Sequence, residues 1–291
     1  MSYDTLEIAK EGPVAIVRLN RPKRMNAFTD VMTSDLEDFF TRVNDADDIR
    51  AVVVTGAGDV FCAGMDLNEH AATFALDHSI DIAGEGGERN RDTGGVVALA
   101  IFNCRKPVIA AVNGAAVGVG ATMTLPMDFR LASTKARFGF VFSKIGIMPE
   151  ACSNWFLPRL VGMPQALDWA YTGEIFSAEA ARAGGLVSDV LAPEDLLPAA
   201  VEKARRLTEN GAPTSIAAIR HAMWRMAGAA HPMEAHILES RAIFEMSQAD
   251  GKEGVTAFLE KRSPTFRKQV SDGMPQGFPW RDEPTFTDDL T

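Results

Sequence analysis

From Pro107 to Met127 the chain runs 21 residues without a charged side chain, a length that would cross a bilayer if it formed one apolar helix. Pro107, Asn113-Gly114, Gly118, Gly120 and Pro126 argue against that, because they divide the stretch into a strand, a turn and a short helix. Val108-Ile-Ala-Ala-Val112 then reads as a strand buried on both faces, and Ala51-Val-Val-Val-Thr55 is a second run of the same kind. Each is followed by glycine, at Gly56 and at Asn113-Gly114. Such strands need a layer on each side, and a chain of 291 residues that is 46% hydrophobic has the material for it. The expected fold class is therefore α/β, a layered sheet wrapped by helices.

Periodicity fills in the rest of this core. Val14-Ala-Ile-Val-Arg-Leu19, Phe129-Arg-Leu-Ala-Ser133 and Leu186-Val-Ser-Asp-Val190 read as further strands. Thr29-Asp30 caps a helix whose Leu36, Phe39, Phe40 and Val43 recur at helical spacing, and Ser177 to Ala183 is a capped helix closed by Gly184. From Pro193 the pattern is helical only: 193–210, 213–228, 232–248 and 250–262, each opened by Pro or Asp. From Ser263 onward four prolines and little periodicity suggest an extended arm. Residues 71–95 show no sustained period, a length of loop that usually serves a function or moves.

Composition narrows the partners. A net charge of −10 sets the chain against nucleic acid and anionic lipid, so an anionic ligand needs a local cationic feature. Cys62, Cys104 and Cys152 are widely spaced in apolar surroundings, and Asp4, Glu7 and Glu11 stand where a signal peptide would be basic and then apolar. A cytoplasmic protein without a membrane partner is the expectation.

Several reactive arrangements are missing. The sequence has no GxSxG and no GxxxxGK[ST], and Gly118-Val-Gly120 is followed by Met123 where a dinucleotide fingerprint needs its third glycine. His70, His78, His221, His231 and His236 form no HxxxH or HExxH pattern, so no metal site is expected. Backbone groups and carboxylates remain. Phe61-Cys-Ala-Gly-Met-Asp-Leu67 and Val112-Asn-Gly-Ala-Ala-Val-Gly-Val-Gly-Ala-Thr122 each follow an apolar strand and precede a helix-like segment. Their glycines either make turns and nothing more, or let two strand ends aim unpartnered N–H groups at one oxygen, as an oxyanion hole does.

These residues resemble the crotonase, or enoyl-CoA hydratase/isomerase, superfamily. The matching pieces are Leu19 to Ala27, Phe61 to Leu67, Val112 to Gly120, Phe138-Gly139, Gly146-Ile-Met-Pro149, Leu186-Val187 and Glu253 to Arg262, in the family's order. The resemblance implies a crotonase-like ββα spiral core over 1–192, a helical trimerisation region over 193–262, an arm over 263–291, and a homotrimer or hexamer. It implies an acyl-CoA thioester substrate, with no cofactor because coenzyme A is part of the substrate. The thioester oxygen would sit between the N–H groups of Met65 and Val119, flanked by Ala63, Asp66, Leu67 and Gly118. Asp66 either positions its loop or caps a helix. Arg18, Arg21, Lys23 and Arg24 place four positive charges within seven residues, and Lys23, Arg24 and Met25 fall near the family's phosphate and pantetheine region. Phe258 and Lys261 match positions that reach the adenine end, sometimes from a neighbouring subunit.

The catalytic carboxylates depart from the hydratase pattern. Its two glutamates fall at Thr122 and Phe142 here, so water held between two carboxylates is lost in its usual form. Glu150, directly after Pro149, instead resembles the Pro-Glu of peroxisomal-type Δ3,Δ2-enoyl-CoA isomerases, where one carboxylate moves a proton from C2 to C4. Its apolar neighbours Ile147, Met148, Ala151, Trp155 and Phe156 favour a raised pKa. Alternatives are an enoyl-CoA hydratase using an unidentified second acid from 71–95, and a non-catalytic or RNA-binding homologue, against which the acidic charge argues.

Overall fold

The computed structural model describes residues 2–67, 91–280 and 283–286. The chain opens with a hairpin of β1 (Leu6–Glu11) and β2 (Val14–Leu19), turned at Gly12 (φ +59°). Helix α1 (Asp30–Arg42) starts where Thr29 accepts the N–H of Met32, as its capping sequence predicts. There follow β3 (Ala51–Gly56), α2 (Thr93–Asn103), β4 (Val108–Val112), β5 (Ala115–Val117), the single turn α3 (Val119–Thr122), β6 (Phe129–Ser133) and β7 (Arg137–Gly139). Next come α4 (Ser153–Val161), α5 (Met163–Thr172), β8 (Ile175–Ser177), α6 (Ala178–Ala183) and β9 (Asp189–Leu191). The chain then turns helical in α7 (Pro193–Thr208), α8 (Pro213–Met226), α9 (Pro232–Gln248) and α10 (Asp250–Glu260).

The main sheet has the order β1-β2-β3-β4-β6-β9 and is parallel from β2 onward; β5, β7 and β8 form a second sheet, with β5 following β4 and β7 following β6 after short turns. Alternation along β3 separates the two faces. Val52 and Val54 pack with residues of α1 and α2, among them Leu36, Phe40, Val97 and Ile101, whereas Ala51 and Val53 pack under Leu196, Ala200, Val201 and Ala204 of α7. Both faces of β3 and β4 are covered, which is why their sequences are apolar without interruption. Helix α7 thus belongs to the sheet's own packing. Among the described residues no helix is long and apolar enough to cross a membrane.

Two elements differ from expectation. The strand expected over 186–190 is β9, Asp189–Leu191, because the N–H groups of Leu186 and Val187 both turn back to the Ala181 carbonyl and close α6 instead. Within 71–95, residues 71–90 lie outside the described residues, but α2 begins at Thr93. Its buried positions, Gly94, Gly95, Val97, Ala98 and Ile101, gather on one side, but Val96, Leu99 and Ala100 on the other are apolar as well, so it carries no amphipathic stripe to read.

Candidate active site

The two glycine junctions meet. Phe28 N–H donates to Gly64 O (2.8 Å) and Asp66 N–H to Phe28 O (2.9 Å), while Cys62 N–H donates to Ala115 O (2.9 Å) and Val117 N–H to Cys62 O (3.1 Å). The first junction is therefore stitched between residue 28 and β5. At the crossing, Gly64 (φ +107°) has no room for more: a Cβ there would lie 3.1 Å from Val117 O. Gly118 (φ +54°) faces it, and a Cβ on Gly120 would lie 2.1 Å from Cys62 O. Val119 opens α3, so its N–H has no intrahelical acceptor. Among the described residues neither the Val119 nor the Met65 N–H is taken by a backbone carbonyl. The two donors thus stand one residue beyond two glycines that lie close together.

Glu150 enters from the other side. Ala151 (φ +57°) and Cys152 (φ +55°) are consecutive left-handed residues that are not glycine, a strained bend between Pro149 and α4. The bend delivers the Glu150 carboxylate to α3, where the buried Thr122 hydroxyl donates to its Oε1 at 2.5 Å. The position that would hold a glutamate in a hydratase thus holds the hydrogen-bond donor to another glutamate.

A second carboxylate, which the sequence reading did not single out, lies against it. Asp92 caps α2, with Oδ1 accepting from Gly94 N–H (3.0 Å) and Oδ2 from Gly95 N–H (2.7 Å) and Ala151 N–H (2.8 Å). Its charge also bears on the Glu150 carboxyl. Gly94 makes space for the pair, since a Cβ there would fall 1.7 Å from Glu150 Oε2. Burial first, and then the neighbouring Asp92 charge, push the Glu150 carboxyl up to about 8; the Thr122 hydrogen bond pulls the other way. The available signal was an aspartate immediately before an apolar run, which on its own reads as an ordinary helix cap.

The basic turn is divided in use. Arg21 is spent on Asp66 (2.9 Å), so Asp66 ties its own loop to the chain at 21, and Arg18 is paired with Glu7 (3.1 Å). Lys23 and Arg24 stay exposed with no ion-pair partner among the described residues, next to exposed Met25. Beneath them buried Asn26 accepts Arg21 N–H at 2.9 Å and donates to Ala57 O (2.9 Å) and Val60 O (2.7 Å), a latch that sequence reasoning missed. Ala63 N–H donates to Met25 O (3.1 Å), joining this turn to the first junction, and Leu67 is exposed beside it. Phe142 is buried. Phe258 and Lys261 stand apart from this gathering, at the end of α10, which packs on α9; Phe258 is 81% exposed.

Comparison with known proteins agrees with this geometry. The sequence pattern of the enoyl-CoA hydratase/isomerase family matches residues 9–269. An enoyl-CoA hydratase of Alternaria alternata is 38% identical over 273 residues, covering 92% of this chain and 88% of that protein. A 1,2-epoxyphenylacetyl-CoA isomerase of Escherichia coli is 35% identical, covering 88% and 95%. The crystal structure of a probable enoyl-CoA hydratase/isomerase from Mycobacterium abscessus superposes with a TM-score of 0.81 at 32% identity, over 91% of this chain and 99% of that one.

Proposed function

The chain belongs to the enoyl-CoA hydratase/isomerase family, enzymes acting on CoA thioesters, and from that premise we propose that it moves a double bond, as a Δ3,Δ2-enoyl-CoA isomerase. The observation that carries this reading is the hydrogen bond from Thr122 to Glu150. It puts one proton-carrying side chain on the same helical turn as Val119, and the second hydratase position is filled by the buried ring of Phe142.

In this reading the thioester oxygen accepts the N–H groups of Met65 and Val119, which lowers the cost of charge developing on it. Glu150 as carboxylate takes a proton from C2, the electron pair spreads over the dienolate, and the same proton returns to C4 as the double bond moves into conjugation. One side chain completes the cycle, and no cofactor takes part. Ala63, Leu67 and Gly118 line the thioester's path, Asp66 holds that loop through Arg21, and Lys23, Arg24 and Met25 meet the phosphates and pantetheine. Phe258 and Lys261 contact coenzyme A in a neighbouring subunit of a homotrimer or hexamer. Three free cysteines fit a reducing cytoplasm.

The relatives carry both hydratase and isomerase names, so both reactions are assayed together. With 3-enoyl-CoA and 2-enoyl-CoA side by side, Glu150→Gln should lower isomerisation by about 10²–10⁴-fold with thioester binding retained. Efficient hydration of the 2-enoyl-CoA that survives the substitution would overturn this reading.

A further inference from the structure

We propose that Asp92 is a positioning residue that acts through Glu150, fixing the bend that presents the Glu150 carboxyl and holding a second carboxylate beside it. The inference rests on the isomerase reading for its consequence in catalysis, but the pairing itself is independent of it. A carboxylate offers about four acceptor positions. On Asp92 three are filled by the N–H groups of Gly94, Gly95 and Ala151, and its charge bears on Glu150. Its three donors also span two elements. Gly94 and Gly95 belong to the first turn of α2, and Ala151 belongs to the strained bend after Glu150. One side chain thus fixes the bend and holds its charge against the carboxyl that the bend presents.

The groups that bear on Glu150 can be named from each side. Asp92 faces it from the start of α2, Thr122 from α3, Cys62 from the first junction and Cys152 from its own segment. Burial pushes both thiols up, Cys62 to about 12, so they stay neutral across the working range. Arg91 bears on Cys152. That leaves Asp92 as the charge to vary. Proton abstraction next to a thioester needs a strong base, and a fixed like charge beside Glu150 raises the gain from taking up the proton. Without Asp92, Glu150 would be ionised over a wider range but would be a weaker base.

The test follows the Glu150 carboxyl itself, by carbon-13 NMR titration of the whole protein labelled at glutamate carboxyls, with no substrate present. Glu150→Gln identifies the resonance. Wild-type Glu150 should titrate near 8. In Asp92→Asn and in Asp92→Ser, which keeps a capping oxygen, the midpoint should move acidic by about one to two pH units. The pH profile of isomerisation should move with it, through kcat, with KM little changed. A wild-type midpoint below pH 6, or an unchanged midpoint in either folded variant, overturns the pairing, and the first of these can be read even if neither variant folds. If the midpoints shift as expected while 3-enoyl-CoA is not turned over, the isomerase reading has failed and the role of Asp92 toward Glu150 stands.

Discussion

Burying Glu150 against another carboxylate ties the stability of the protein to one proton. The group titrates at an ordinary 4.5 when exposed and at about 8 in the folded chain. Between those values the unfolded chain has released the proton that the folded chain keeps. Stability from this group is therefore full below about 4.5 and falls as pH rises, at about 1.4 kcal/mol per pH unit, until Glu150 ionises near 8. Glu150→Gln removes the ionisation and keeps the shape, so its Tm should exceed that of wild type above about pH 8 and approach it near pH 5; thermal melts across that range check the sign. The glutamate was legible in the sequence because its signal is local, a Pro-Glu step among apolar residues. Asp92 was not, because its contact with the bend after Glu150 is made by folding; the sequence placed it only within 71–95, the stretch from which the hydratase alternative draws its second acid. The basic turn has the same limit: nothing near Arg21 in sequence shows that Asp66 neutralises it.

At the level of elements, α2 is held at both ends by charge, exposed at its start and buried at its end. Asp92 caps its start, and Arg220 of α8 binds its end through the carbonyls of Ile101 (3.0 Å) and Phe102 (2.8 Å). Arg220 also pairs with Asp128 (2.8 Å), just before β6, and Asp128 accepts Trp224 Nε1–H (2.8 Å) and Val108 N–H (2.8 Å). Arg220→Ala would leave Asp128 and several carbonyls without their donor, and should lower stability by about 3–5 kcal/mol in urea unfolding. Helices α1 and α6 through α10 were readable because Thr, Ser, Pro or Asp marks their starts. Helix α2 was hidden because its less buried side carries Val96, Leu99 and Ala100, so it lacks the polar face from which a helix is recognised.

Across the whole molecule, apolar surface is distributed unevenly. Helices α8 to α10 expose Met223, Ile243, Phe244, Val255, Phe258 and Leu259, with Met223 and Leu259 each 73% accessible in the single chain. A run of that size calls for a partner surface. Sedimentation at micromolar concentration should give three or six times 31.4 kDa, and a species of 31.4 kDa alone would count against a trimer. The sequence separated a mixed core from a helical continuation at about residue 193, and the change of texture there is real, but texture does not report contacts. Helix α7 lies on Ala51, Val53, Ile109 and Leu131, and Arg220 reaches back to Asp128. Recombination with a relative would meet this at once. A crossover at residue 192 hands over a cation without its anion and a helix without the strands it covers. Chimaeras joined there should fold only when both parents agree at those particular pairs, and residues 193–291 do not form an exchangeable module.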